Sequence, residues 1–130
     1  MADGFDGRVA LVTGAGDADG LGFAHARFLA ERGCRIVLND YGGGTLGLAV
    51  QGVDGGVAEA AAERLRALGG EAIANAGDVG DPSTAEEMVA AAMNTWGRVD
   101  IVVNNAGIAS AAFFPDVDAE EMERHVRVTL

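Results

Sequence analysis

The stretch "TGAGDADGLG", residues 13–22, follows directly on the apolar run Val9–Val12, and its reading decides the fold. An apolar run of strand length that breaks into a glycine-rich turn and then an amphipathic segment is a strand, a loop and a helix. In parallel sheets such turns receive a pyrophosphate: glycines admit the phosphates close to the backbone, and the helix N-terminus offers unpaired N–H groups at a positive dipole end. Gly14, Gly16, Gly20 and Gly22 are the candidates here. By itself the signal is weak, because any strand-to-helix turn can be rich in glycine.

Outward from this loop the chain alternates regularly. From Gly20 to Gly33 apolar residues recur at Leu21, Ala24, Phe28 and Leu29, a helical stripe that Gly33 ends. "RIVLND" (Arg35–Asp40) reads as a second buried strand, followed by a glycine-rich stretch, residues 41–53, expected to form a flexible loop over a binding face. Asp54 is placed to cap a second helix with Val57, Ala61, Leu65 and Leu68 on one face, and Gly69-Gly70 stop it. A third strand lies within Glu71–Val79. Asp81-Pro82 opens a third helix with Ala85, Met88, Val89, Ala92 and Trp96 facing inward, ended by Gly97. A fourth strand runs through Val103, and a last helix starts near Asp118. Apolar strands alternating with amphipathic helices predict an α/β fold: a doubly wound, Rossmann-like parallel sheet covered on both faces, with right-handed crossovers and strand order 3-2-1-4. Residues 1–130 read as one domain of this kind.

Composition narrows the function. Hydrophobic residues make up 49% of the chain and no window approaches a membrane span of about 18 apolar residues. "MADGFDGR" lacks the basic start and apolar core of a secretory signal, so none is expected. A net charge of −11 argues against nucleic acid and against an anionic membrane surface. Cys34 is the only cysteine, which excludes an internal disulfide and suits a reducing compartment, the cytoplasm; it reads as a small buried residue rather than a catalytic thiol.

Asp40 strengthens the nucleotide reading. It ends the second strand, 20 residues after Gly20 and 18 after Gly22, where an acid bonds the adenosine ribose hydroxyls. A carboxylate there repels a 2′-phosphate, and no arginine or lysine lies between Tyr41 and Val53 to receive one. NAD is therefore expected in preference to NADP. The bland alternative is that Asp40 caps a loop.

"LVTGAG…GLG", "VLNDYGG", "AGDV" and "IVVNNAG" occur in the order and places seen in short-chain dehydrogenases/reductases, and the chain resembles that family over essentially its whole length. "NDYGG" with its glycine-rich continuation is similar to the (3R)-hydroxyacyl-CoA dehydrogenase branch found in peroxisomal multifunctional enzymes and their bacterial relatives. The resemblance implies that Gly14, Gly20 and Gly22, with Leu21 beside them, shape the pyrophosphate loop and that Asp40 holds the ribose. It further implies that Asp78 and Val79 line the adenine, and that Asn105, Ala106 and Gly107 pass the cofactor ribose. For Asn104 and Asn105 a purely structural role, bonding neighbouring loops, is an equal expectation. The implied activity is NAD-dependent interconversion of a secondary alcohol and a ketone by hydride transfer.

Three departures qualify the resemblance. The family loop usually reads T-G-x-x-x-G-x-G, whereas five residues separate Gly14 from Gly20, and Asp17-Ala18-Asp19 stands where one residue is usual. A wider spacing is similar to that of enoyl-acyl-carrier-protein reductases, which usually lack "GLG" there. An outward bulge is expected, with an aspartate capping the helix near Gly20. Thr129 stands where the family often carries a proton-relay asparagine, and is expected to be an ordinary helix residue; His125 is no substitute. Finally, the chain holds no lysine and no Tyr-x-x-x-Lys; its one tyrosine is Tyr41. No catalytic residue is therefore assigned and no metal is expected. The sequence reads as the cofactor half of an enzyme whose small-molecule substrate needs a further half, inactive by itself and inclined to self-associate through an exposed fourth strand. The alternative is a nucleotide-binding or assembly module of the same fold without the chemistry.

Overall fold

The computed structural model describes residues 4–42, 52–109 and 114–129. Within them β1 (Val9–Val12), α1 (Leu21–Ala30), β2 (Arg35–Asp40), α2 (Gly55–Ala67), β3 (Glu71–Ala76), α3 (Pro82–Trp96) and β4 (Ile101–Val103) follow in turn, then a short 3₁₀ turn at Phe114–Asp116 and α4 (Ala119–Thr129). The four strands form one parallel sheet of order β3-β2-β1-β4, as the alternation predicts. Val9 to Val12 pair with Arg35 to Leu38 on one side, and Ala10 to Val12 with Ile101 to Val103 on the other. All four residues of β1 are buried, because the central strand of a sheet covered on both faces meets side chains above and below.

Two apolar layers fill the faces. Ala10, Val12, Ile36 and Leu38 pack against Phe23, Ala26 and Leu29 of α1 and Ala58, Ala61, Ala62 and Leu65 of α2. Val9, Leu11 and Val37 pack against Met88 and Ala92 of α3, with Trp96 partly buried beside them. Asp54 and Asp81 cap α2 and α3, accepting from the N–H groups of Gly56 and Ser83 at 2.9 Å. α3 ends at Gly97, whose φ of 74° is the left-handed C-cap that glycine adopts freely.

The helix faces differ from the apolar stripes. In α1 the buried residues are Gly22, Phe23, Ala26 and Leu29, whereas Leu21 is 74% exposed, Ala24 is exposed and Phe28 lies under the Arg32 guanidinium, 3.6 Å from its ring centre. In α2, Ala58 and Ala62 replace Val57 and Leu68 on the inner face; in α3, Thr84 faces inward while Ala85 and Val89 face out. In α1 and α2 small residues, Gly22, Ala26, Ala58, Ala61 and Ala62, permit close approach to the sheet, and Phe23, Leu29 and Leu65 fill the space between them.

The glycine-rich stretch after Tyr41 lies largely at residues 43–51, outside the described residues. β4 pairs only with β1 among the described strands, and Val102 is exposed. No described helix is long and apolar enough to cross a membrane.

Candidate nucleotide-binding site

The carboxyl ends of the strands carry the candidate residues, and the crevice between β1 and its flanking loops is where a parallel sheet takes its ligand. Gly14 turns out of β1 with φ 62°; a methyl group on it would lie 2.7 Å from Ala106 Cα. A glycine is thus required both by the backbone conformation and by the loop after β4. Thr13 fastens that loop: its hydroxyl accepts the N–H groups of Asn105 and Ala106, both at 3.0 Å. The Asn105 amide nitrogen in turn donates to the carbonyls of Thr13 and Gly14, each at 3.0 Å. Asn105 therefore performs the structural role expected of it, while Asn104 is exposed.

Asp40 is anchored before any ligand is considered. Its carboxylate accepts the Gly16 N–H through Oδ2 and the Gly42 N–H through Oδ1, both at 2.8 Å. Each oxygen keeps a free lone pair, so the group is oriented yet can still accept hydroxyl protons. A side chain on Gly16 would collide with this carboxylate and with Val57, which explains a glycine at that place. The reading of Asp40 as a loop cap and its reading as a ribose acceptor are compatible, since the local bonds use only part of the carboxylate.

Asp78 and Val79 follow β3 and are half-buried. Asp78 accepts the Gly80 N–H at 2.8 Å and, through its carbonyl, that of Asp81 at 3.0 Å, so the acid closes its own turn. Gly20, Leu21 and Gly22 stand at the start of α1. Gly20 is the N-cap and brings no side chain to the helix end, leaving first-turn N–H groups for an incoming anion.

The insertion behaves differently from expectation in one respect. Asp17 and Asp19 are both exposed, so the segment bulges outward. Neither caps α1. Asp17 Oδ1 accepts the Asp19 N–H and the Asp17 carbonyl accepts the Gly20 N–H, both at 3.0 Å. The carboxylate is engaged in its own local turn, the alternative that short acidic side chains offer to capping.

These parts converge at the carboxyl ends of the strands: an uncapped helix end beneath glycines, a fixed carboxylate at the end of β2, and small residues after β4. A profile described as short chain dehydrogenase matches residues 8–130. The chain belongs to that family. It is 42% identical over 126 residues to peroxisomal multifunctional enzyme type 2 of Mus musculus, covering 97% of this chain and 16% of that protein. Versicolorin reductase 1 of Aspergillus parasiticus is 41% identical over 123 residues, covering 95% of this chain and 42% of the reductase. A crystal structure of a short chain dehydrogenase from Mycobacterium avium superposes with a TM-score of 0.78 at 37% identity, covering 95% of this chain and 43% of that one. The chain thus spans less than half the length of each.

The remaining residues singled out in the sequence lie as follows. Ala106 is half-buried against Gly14, and Gly107 is exposed, with no described residue within 4 Å of a methyl placed on it. Thr129 is exposed on α4 and lines an open depression with Ile108, His125 and Val126. Cys34 is buried, and desolvation, helped by the negative Asp100, pushes its thiol up to about 11. It is no nucleophile at neutral pH. Among the described residues no cluster of three or more His, Cys, Asp or Glu could hold a metal. Sequence reading missed two organisers, Thr13 and Asn39. Asn39 left a signal: it is a fully buried amide that directly follows the apolar run Ile36–Leu38 in β2.

Proposed function

We propose that residues 1–130 form the nucleotide-binding half of an NAD-dependent oxidoreductase that interconverts a secondary alcohol and a ketone. The anchored Asp40 carboxylate, with no basic residue in the 41–53 stretch, is the observation that carries the reading and the preference for NAD over NADP. Gly14, Gly16, Gly20, Leu21 and Gly22 receive the pyrophosphate at the open end of α1. Asp40 accepts the ribose hydroxyls, Asp78 and Val79 border the adenine, and Asn105, Ala106 and Gly107 line the path toward the nicotinamide. Bound NAD supplies the hydride acceptor; the protein's part here is to hold and orient it. The "NDYGG" signature and the likeness to the mouse multifunctional enzyme favour a 3-hydroxyacyl-CoA-like substrate, contacted by a further half. Proton exchange with substrate is not assigned to these residues, since the chain has no lysine and Tyr41 is its one tyrosine. The side of β4 away from β1, which pairs with no described strand, supports self-association, and the single free thiol fits the cytoplasm.

Calorimetry of the protein with NAD, NADP and S-adenosylmethionine tests the proposal. NAD should bind more tightly than NADP by at least about tenfold, because a fixed carboxylate faces the 2′-phosphate. Equal affinities would remove Asp40 from its role. Alcohol oxidation by the pure 130-residue chain would overturn the assignment of the chemistry elsewhere.

A further inference from the structure

We infer that Asn39 is a positioning residue for the adenine end of the site, holding the turn that carries Asp78 and Val79. The inference rests on the nucleotide reading above and adds a residue to it. Asn39 is 1% exposed and lies one residue before Asp40, on the sheet face that α3 covers. Its register partner on the edge strand is Asn75. The Asn39 amide spends both of its protons: Nδ2 donates to Asn75 Oδ1 at 2.8 Å and to the Gly77 carbonyl at 3.2 Å. The second bond is the telling one.

The β2–β3 pairing ends at Asp40 and Ala76. Gly77 donates its N–H to the Asp40 carbonyl at 3.2 Å, but its own carbonyl lies past the last paired residue. Asn39 reaches it with a side chain and so extends the ladder by one bond. The Gly77–Asp78 peptide plane is thereby fixed, and that plane sets where Asp78 and Val79 leave the sheet. Thr84 closes the other side: a methyl on Gly77 would sit 2.7 Å from Thr84 Cγ2. At the same time the Asn39 carbonyl accepts the Ala15 N–H at 2.9 Å, joining the glycine loop to the same residue. One residue thus registers the pyrophosphate loop through its backbone and the adenine turn through its side chain. An apolar residue would satisfy the sheet's packing and leave the Gly77 carbonyl without its donor. Burial of an amide in such a strand is costly unless bonded, and here every proton is used.

The test compares Asn39→Leu, Asn39→Asp and Asn75→Asp in the full chain. Asn75→Asp keeps an acceptor for Asn39 and serves as the control for disturbing the pair without freeing Gly77. Two readouts are taken: AMP affinity by calorimetry, and amide exchange at Gly77 and Gly80, which report the turn without ligand. Both Asn39 variants should exchange faster at Gly77 and Gly80 and bind AMP about tenfold more weakly, because the ligand must then order the turn itself. Asn75→Asp should leave both near wild type. Wild-type exchange and AMP affinity in the Asn39 variants would overturn the inference, as would an equal loss in Asn75→Asp. If Asn39→Leu does not fold, the near-isosteric Asn39→Asp decides by the same readouts. Failure of the wild type to bind AMP or NAD would instead sink the nucleotide reading, and the ligand-free exchange would still settle the role of Asn39.

Discussion

Gly22→Ala and Gly107→Ala add the same methyl group to two glycines whose surroundings differ completely. At Gly22 the new carbon lands on the Gly14 carbonyl oxygen, 2.5 Å from Asn105 Nδ2 and 2.9 Å from Ala15 Cα. Comfortable carbon contacts begin at about 3.5 Å, so α1 must retreat from β1 by roughly 1 Å or Asn105 must release the loop. Overpacking of this kind costs about 1–3 kcal/mol, and losing the two Asn105 bonds adds about 1 kcal/mol each. Replacing a helical glycine returns only about 0.5–1 kcal/mol. The clash wins, with a net loss of about 2–4 kcal/mol. At roughly 3–6 °C per kcal/mol for a chain of this size, Tm should fall by about 6–24 °C. At Gly107 nothing among the described residues lies within 4 Å of the added methyl, so Tm should move by no more than about 2 °C. NAD affinity should nevertheless drop in both variants, through a displaced helix end in the first and an obstructed cofactor path in the second. Thermal melts followed by circular dichroism, paired with NAD calorimetry, separate the two effects. A Gly107→Ala protein destabilised as much as Gly22→Ala, or a Gly22→Ala protein melting with the wild type, would refute the packing argument.

Thr13→Val removes the acceptor for two N–H groups while nearly preserving shape; urea unfolding should show a loss of about 2–4 kcal/mol, and Thr13→Ser should recover most of it. Cys34, with its thiol pushed up to about 11, should resist iodoacetamide at pH 8 until denaturant is added; rapid alkylation of the folded protein would show that the site opens. Asp100 lies below its ordinary value because it accepts from the Arg98 side chain and from the Val9 N–H, and Asp81 because it accepts the Ser83 N–H and hydroxyl contacts. Depressed carboxyls stabilise the fold above their unfolded value of 3.8 and lose that contribution as pH falls through the folded one. Acid titration of Asp100→Asn should therefore show a smaller loss of stability below about pH 4 than the wild type, and an unchanged acid profile would remove the carboxylate from the account.

The strand order and element sequence were legible because long apolar strands and glycine stops leave strong signals. Asp54 was legible as a cap, and Asp81-Pro82 as the opening of α3, for the same reason: the chemistry is local. The inner faces of the helices were not, since a stripe read from large apolar residues ranks Leu21 and Phe28 above Gly22 and Ala26. Closeness to the sheet, which no one-dimensional pattern records, reverses that order. Asp17 shows a second limit. A carboxylate before a helix can cap it or close its own turn, and the geometry of a two-residue span decides. Of the site, spacing alone pointed to Asp40 and the glycines. The service of Thr13 to Asn105 and Ala106 spans more than 90 positions and has no local signature.

That span also governs the order in which the molecule can be completed. β1 is made first yet sits innermost, and its second neighbour, β4, together with the Asn105 clasp on Thr13, arrives 92 residues later. At translation rates of about 5–20 residues per second, one flank of the nascent β1 stays unpaired for roughly 5–20 s. Contacts this distant in sequence also close slowly once the chain is free. For that interval the glycine loop has no floor, so a nucleotide cannot assist folding early. A ligand of that crevice could stabilise the fold only after β4 has joined.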